Sequence, residues 1–307
     1  MTPPAARLSN PRLAGYLAVL IASSLWATSG IFIKLIMSHS PASAISLAFW
    51  RDLAAFLLLL ALNASFSRGA RRLAPSHRPW MAALGLSLGL FHVGLNYAVF
   101  LNGAAVTTVQ QAAMPAIVII VERLLFQEHL TPKKGIAILL IFAGTVLISG
   151  LGAYGKADFS AAGVAAGFSI PALYAAWSLL GKKLRHDYAP LPILTHAFGF
   201  AVLVLFPFQF GTAPPWPIAG SVWLWFAGLV GLSTVGGFVV YIFGLGKLPA
   251  GVVTIVAMAE IVFSAILAHV FLRETLNGVE ILGAGVIAAG ISSLFLPGRG
   301  AAGRAPR

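Results

Sequence analysis

The chain has no cysteine, so neither a disulfide nor a thiolate metal site can stabilise it. Charge is also scarce: Asp, Glu, Lys and Arg make up 9% of the residues, and only eight residues are acidic. Soluble domains carry about a quarter charged residues, so a water-facing globule is excluded. No H-E-x-x-H or P-loop pattern occurs, which leaves zinc and ATP without a binding signature; no cofactor or metal is expected. Gly85-Leu86-Ser87-Leu88-Gly89 does match the G-x-S-x-G nucleophile elbow, with His92 five residues beyond the serine. That elbow needs a strand turning into a helix, whereas these residues lie in an apolar helix. Gly85 and Gly89 instead fit the small-xxx-small spacing that lets helices approach closely. No catalytic residue is expected.

What is present is apolar. Of the 307 residues 59% are hydrophobic and the mean hydropathy is +0.92, the composition of a membrane protein. A spanning helix needs about 20 apolar residues. Ten such runs can be counted, at roughly 13–37, 43–66, 79–99, 103–126, 133–151, 161–184, 190–210, 219–243, 250–272 and 277–296. Turn residues separate them, as at Ser38-His39-Ser40-Pro41, Leu101-Asn102-Gly103 and Gly211-Thr212-Ala213-Pro214-Pro215. Residues 1–12 are a polar N-terminal segment, and the run after them lacks a small-residue cleavage pattern, so it is read as an uncleaved span. Residues 297–307, made of Gly, Ala, Pro and Arg alone, are expected to form a disordered basic tail.

The net charge of +12 would suggest nucleic acid in a soluble protein. Here its distribution argues otherwise. With the N-terminus in the cytoplasm, Arg7, Arg12, Arg68, Arg71, Arg72, Arg78, Arg123, Lys133, Lys134, Lys182, Lys183, Arg185, Lys247, Arg299, Arg304 and Arg307 share one side, and Lys34, Arg51, Lys156 and Arg273 take the other. Topology plus anionic lipid on that leaflet explains the charge, both termini are expected in the cytoplasm, and no nucleic-acid partner is implied.

The chain repeats itself. A shift of 146 residues aligns Ala250-Gly251-Val252-Val253-Thr254 with Ala104-Ala105-Val106-Thr107-Thr108, Glu274 with Glu128 and Gly290 with Gly144; a shift of 148 superimposes Gly163, Tyr174 and Lys182 on Gly15, Trp26 and Lys34. Each half, 13–151 and 161–296, then holds five spans, and an odd number forces the second copy into the membrane upside down. The fold class expected is an all-α membrane protein of two inverted five-helix repeats around a central cavity. Inverted repeats are the usual basis of alternating access.

The two five-helix halves, the Trp26-to-Lys34 segment closing the first helix, Arg51 in the second, and the Pro115-to-Glu128 and Ile261-to-Glu274 segments ending the fourth and ninth resemble the ten-helix EamA branch of the drug/metabolite transporter superfamily, over roughly residues 13–296. Within that branch the chain is most similar to YddG-type exporters of aromatic amino acids. The resemblance implies helices one, three, four, six, eight and nine around the cavity, five and ten at the periphery, and residence in the bacterial inner membrane. The chain departs from the pattern at Ile261, where relatives often carry proline after the acid. It also lacks the first-helix glutamate by which the small multidrug-resistance proteins couple to protons, which counts against proton antiport.

Candidate site residues follow from polarity at depth. Glu260 lies near the middle of the apolar run Ala250–Leu272, where a carboxylate could bind a substrate amine or a proton, or hydrogen-bond to a neighbouring helix. Thr254 and Met258 line an adjacent face. His92 and Asn96, four apart with Tyr97 beside them, could contact a ligand or another helix. Gln111 and Met114 share a stripe with Thr107 and Val118 that Pro115 can bend, while Gln110 faces elsewhere. Trp26, Tyr174, Trp177 and Tyr241 lie deep enough to stack on a substrate or to pack the core; Trp80, Trp216, Trp223 and Trp225 suit the membrane interfaces. Arg51 and Asp52 stand near the outer end of the second helix, too shallow for a central site, as an outer gate or a local ion pair. Glu128 and Glu274 close equivalent helices and suggest a shared capping or docking role; His196 and His269 are assigned to packing or the interface.

The function expected is a secondary transporter, exporter or facilitator, of small metabolites by alternating access, with a monomer as the unit and lipid and solute as its partners. An apolar cavity with a few polar groups fits an amphipathic or aromatic solute, and the lack of a mid-membrane Lys or Arg counts against sugar phosphates. Amino acids, aromatic ones included, follow from the resemblance. The alternatives are a proton-coupled exporter of amphipathic cations, an intramembrane lipid-modifying enzyme, for which the acids are too scattered, and a scaffold or sensor.

Overall fold

The computed structural model describes residues 10–66, 73–149, 161–212 and 220–295. Arg7, Arg68, Arg71, Arg72, Lys156, Trp216 and the basic tail 297–307 lie outside the described residues. The first half comprises α1 (Pro11–Ser38), α2 (Ala44–Phe66), α3 (Arg78–Gln111), α4 (Met114–Phe126) and α5 (Pro132–Ile148). In the second half come α6 (Ala161–Leu184), α7 (Pro190–Leu205), α8 (Gly220–Gly228), a π-helical segment (Leu229–Gly236), α9 (Gly237–Leu245), α10 (Ala250–Ala257), α11 (Ala259–Leu272) and α12 (Gly278–Ser292).

Eight stretches are long and apolar enough to cross a bilayer, and they coincide with the first to fourth and sixth to ninth apolar runs. The fifth and tenth are shorter, 17 residues in α5 and 15 in α12. They pack against each other, and their contacts reveal the symmetry of the molecule. A Cβ on Gly144 would fall 2.7 Å from Gly283 O and 2.7 Å from the Ile287 side chain, and one on Gly290 would fall 3.1 Å from Ala137 O. Moving down α5 from 144 to 137 therefore moves up α12 from 283 to 290. These repeat-equivalent helices run antiparallel, as inversion of one half requires.

Local signals recur at the same spacing. Thr131 caps α5 by accepting from Lys134 N, and Asn277, 146 residues later, caps α12 in a reciprocal box with Glu280. The helices before them end on left-handed residues, Gln127 (φ 54°) and Arg273 (φ 56°), again 146 apart. Neither is glycine, so each half accepts a small backbone cost to turn the chain at the same place.

One expected turn takes another form. Leu101-Asn102-Gly103 is helical, and α3 continues to Gln111. Along α6, however, α3 meets Ser169 at Gly94, Gly163 at Asn102 and Gly167 at Gln110, so the chain doubles back at Asn102. The Asn102 amide ties the corner by donating to Gly163 O (2.7 Å) and Gln110 Oε1 (3.1 Å). Gly85 and Gly89 pack on α7, where added Cβ atoms would meet Ala197 O and Ala201 O at 2.7 and 3.1 Å. They serve close approach, as their spacing implies.

Candidate functional site

Three interruptions of regular helix meet at the centre of the bundle. The chain leaves α3 for α4 through Ala112–Ala113, and α10 for α11 through Met258, and these breaks correspond under the 146-residue shift. Pro115, lacking an N–H, explains the first. Its counterpart Ile261 does donate, to Met258 O three residues back, so the second break is set by packing and not by proline. The third is the π segment Leu229–Gly236, where the Thr234 hydroxyl donates to Leu229 O five residues back at 2.8 Å. Half-helices that end inside a membrane point backbone partial charges at one another's gap, and π segments cluster at functional sites.

A cavity of about 160 Å³ lies between the breaks. Of the residues singled out from sequence, Trp26, His92, Gln111, Met114, Tyr174, Met258 and Glu260 line it. Arg51 lines it as well, which corrects both its assignment to a shallow position and the supposed absence of a cationic side chain at depth. A guanidinium on a three-methylene stem reaches well beyond its own backbone position.

The other candidates stand back from this cavity. Asn96 turns its amide to His92 O (2.7 Å) and lines a smaller opening that shares Arg51, His92 and Leu95 with the main one. Tyr97 is 48% exposed on the outside of the bundle, 6.4 Å from the Phe208 ring. Trp177 and Tyr241 stack at 5.3 Å behind Trp26 and Tyr174, with the Tyr241 hydroxyl 3.1 Å from Ser178 Oγ. Thr254 is fully buried and donates to Gly251 O. Trp177, Tyr241 and Thr254 support the wall without forming it.

Two of the lining groups are spoken for. Asp52, fully buried, accepts from Arg51 Nε at 3.1 Å and sits 2.6 Å from His92 Nδ1, so the expected local ion pair is present and extends to a third residue. Two partners on one buried carboxylate offset the cost of its desolvation. His92 keeps only Nε2 for a ligand. Glu260 differs: among the described residues nothing donates a hydrogen bond to its carboxylate or pairs with it. The Trp26 indole N–H is likewise buried without a partner. Gly237 makes room for that indole, since a Cβ there would lie 2.6 Å from the ring.

Sequence reasoning missed Phe91, Phe238, Ser29, Ser233 and Thr234 in the lining. Nothing distinguishes two of the 21 phenylalanines in advance. Ser233 and Thr234 did carry a signal, being enclosed by Gly228, Gly231, Gly236 and Gly237 in one apolar run. Glu122 was missed too. It is 2% exposed and accepts from the Ala250 and Gly251 amides at the start of α10, the latter at 2.9 Å. Glu274 docks to Lys34 at 2.7 Å, whereas Glu128 lines a second void, of about 490 Å³, at the Lys/Arg-rich ends of the helices. His196 and His269 bond locally, to Pro192 O and Glu274 O.

Comparison with known proteins agrees with this architecture. A family model described as the EamA-like transporter family matches residues 13–150 and again 161–296. The uncharacterized inner membrane transporter YicL of Salmonella typhimurium is 28% identical over 298 residues, covering 93% of this chain and 96% of that protein. An uncharacterized transporter of Archaeoglobus fulgidus is 25% identical over 284 residues, covering 90% of this chain and 94% of its own. A solved crystal structure superposes with a TM-score of 0.79 over 92% of this chain and 96% of its own at 18% identity, a likeness of fold. Since the family model accounts for both halves of the duplication, the chain belongs to the EamA-like transporter family, and is a multi-pass membrane transporter and not an enzyme.

Proposed function

We propose that this transporter carries amino acids, aromatic ones included, across the bacterial inner membrane by alternating access, with both termini in the cytoplasm. The observation that carries the reading is the lining of one central cavity by an unpaired carboxylate (Glu260), a guanidinium (Arg51) and the aromatic faces of Trp26, Phe91, Tyr174 and Phe238. A zwitterion with an apolar side chain matches that set: its ammonium to Glu260, its carboxylate to Arg51, its side chain against the rings. The expected contacts at Gln111, His92, Met114 and Met258 surround these groups. A sugar phosphate, with two negative charges, would find one guanidinium already shared with Asp52.

Counterflow into proteoliposomes tests the reading. Vesicles preloaded with unlabelled phenylalanine should accumulate labelled phenylalanine, and saturable competition by tyrosine and leucine should follow. Absence of saturable exchange for every aromatic and neutral amino acid would end the substrate assignment. The unpaired state of Glu260 also favours a second reading, a proton-coupled exporter of amphipathic cations, because a free carboxylate can exchange a proton for a cation. Accumulation of a lipophilic cation driven by a pH gradient, with no amino-acid counterflow, would select that one.

A further inference from the structure

The turn from Leu245 to Ala250 joins α9 to α10 at the Lys/Arg-rich end of the bundle, here termed the basic face, and opposite charges grip its two sides. Lys182 of α6 donates its ammonium to Leu245 O (2.9 Å) and Leu248 O (2.8 Å), where α9 leaves unpaired carbonyls. Glu122 of α4 accepts from the Ala250 and Gly251 amides, where α10 leaves unpaired donors. Each charge has the sign that its helix end favours. Gly251 permits the fit, since a Cβ there would meet the Ile119 side chain and lie 2.8 Å from Glu122 Oε2. Glu122 belongs to the first repeat and the turn to the second, so the contact staples the halves together.

Among the described residues the opposite face has no such device. Under the repeat, Glu122 corresponds to Ala268 and the Ala250–Gly251 pair to Ala104–Ala105, so the carboxylate is missing there. Lys34, the counterpart of Lys182, pairs instead with Glu274, the counterpart of Glu128. Packing follows the same division: α10 lies against α4 on the basic side, whereas among the described residues no comparably extensive contact joins α11 to α3. On the side of the opposite face, a smaller void lined by Ile33, Leu47 and Asn96 shares Arg51, His92 and Leu95 with the central cavity. Toward the basic face Ser178, Tyr241 and Thr254, all buried, stand behind its wall, and beyond them lies the vestibule that Glu122, Glu128 and Lys182 line.

We infer that Glu122 and Lys182 are the basic-face gate, a clamp on the Leu245–Ala250 turn that must let go before the cavity can open to that side. On release, Lys182 pairs with Glu128 as Lys34 now pairs with Glu274, so an ion pair marks the open face and the clamp the closed one. With the carboxylate replaced by alanine on the other face, the two states are unequal, and the one closed at the basic face is the resting state. The inference rests on the alternating-access reading but is independent of the solute.

The test uses the chain's natural lack of cysteine. Ser178→Cys places a near-isosteric thiol behind the clamp, and Ser29→Cys places one in the cavity on the open side. In sealed vesicles of known orientation, a membrane-impermeant thiol reagent applied at the basic face should modify Ser178→Cys slowly. Adding Glu122→Ala, or separately Lys182→Met, should raise that rate about tenfold or more as the population shifts, while Ser29→Cys becomes slower from the opposite face. Lys183→Gln, which removes a vestibule cation lying over Trp80 and not touching the turn, should change neither rate. Rates within about twofold of the parent in both clamp variants, or a rise at both thiols together as the bundle loosens, overturns the proposal. Labelling needs no solute, so a gate that responds while amino-acid counterflow fails would remove the substrate reading and leave the gate standing.

Discussion

Glu260 and Asp52 are both acids within the membrane, yet their surroundings give them different work. Asp52 is fully buried between Arg51 and His92. Asp52→Ala should leave both partners without their counter-charge and lower stability by about 3–5 kcal/mol, seen as a drop in the melting temperature of the detergent-solubilised protein. Glu260→Gln has no partner to orphan, so the melting temperature should hold. A charge-assisted hydrogen bond to a substrate ammonium contributes about 1.5–3 kcal/mol, so the apparent affinity for amino acids should fall roughly ten- to a hundredfold in counterflow. A melting temperature that falls as far for Glu260→Gln as for Asp52→Ala would identify Glu260 as structural. Trp26→Phe makes a finer distinction, because its indole N–H is buried and unpaired. Stability should change by less than about 1 kcal/mol while solute affinity weakens several-fold.

Between residues and the whole molecule stand the helices, and they were legible to different degrees. Apolar length located the eight stretches able to cross a bilayer, because a bilayer demands it whatever the packing. The repeat located the equivalence of α5 and α12, and the glycines at 144 and 290 proved to be where they touch. Interruptions were harder to foresee. Pro115 announced a bend, but the break at Met258 carries no proline, and the π segment beside Ser233 lay hidden in an ordinary apolar run. Depth misled for Arg51 and Tyr97 because position along a helix fixes neither the reach of a long side chain nor the face a ring occupies. Glu122 went unnoticed because its partners are backbone amides 128 and 129 residues away. The seam between α5 and α12 makes its own prediction. Gly144→Val would drive a branched side chain onto Gly283 O and the Ile287 amide, both backbone and unable to swing aside. Overpacking of this kind costs about 1–3 kcal/mol. Because none of the residues in contact across the seam lines the cavity, the melting temperature should fall while the KM of the protein that remains folded stays at the parent value.

At the scale of the molecule, the antiparallel seam and the Lys34–Glu274 pair fix which helix ends lie together, and the Lys and Arg distribution proposes which face is cytoplasmic. These are separable claims, and four single cysteines in the cysteine-free chain address both. Ser38 and Thr275 are exposed beside Lys34 and Glu274, at one face, and Arg78 and Lys183 are exposed at the other. In intact cells an impermeant maleimide should label Ser38→Cys and Thr275→Cys, and should reach Arg78→Cys and Lys183→Cys only after permeabilisation. The reverse pattern would keep the inverted duplication and refute the cytoplasmic termini. Labelling of Ser38→Cys and Arg78→Cys from the same side would refute the span between them, and the placement of every later helix would fail with it. The pairing matters for function because an inverted duplication gives the two faces the same order of elements, so any preference for one follows from where they differ. Here a glutamate on one face stands against an alanine on the other, and the turn it holds stands against a stretch where α3 runs on as helix. Removing the glutamate, by Glu122→Ala, should therefore narrow the bias, slowing labelling of Ser29→Cys from the opposite face and quickening that of Ser178→Cys from the basic one.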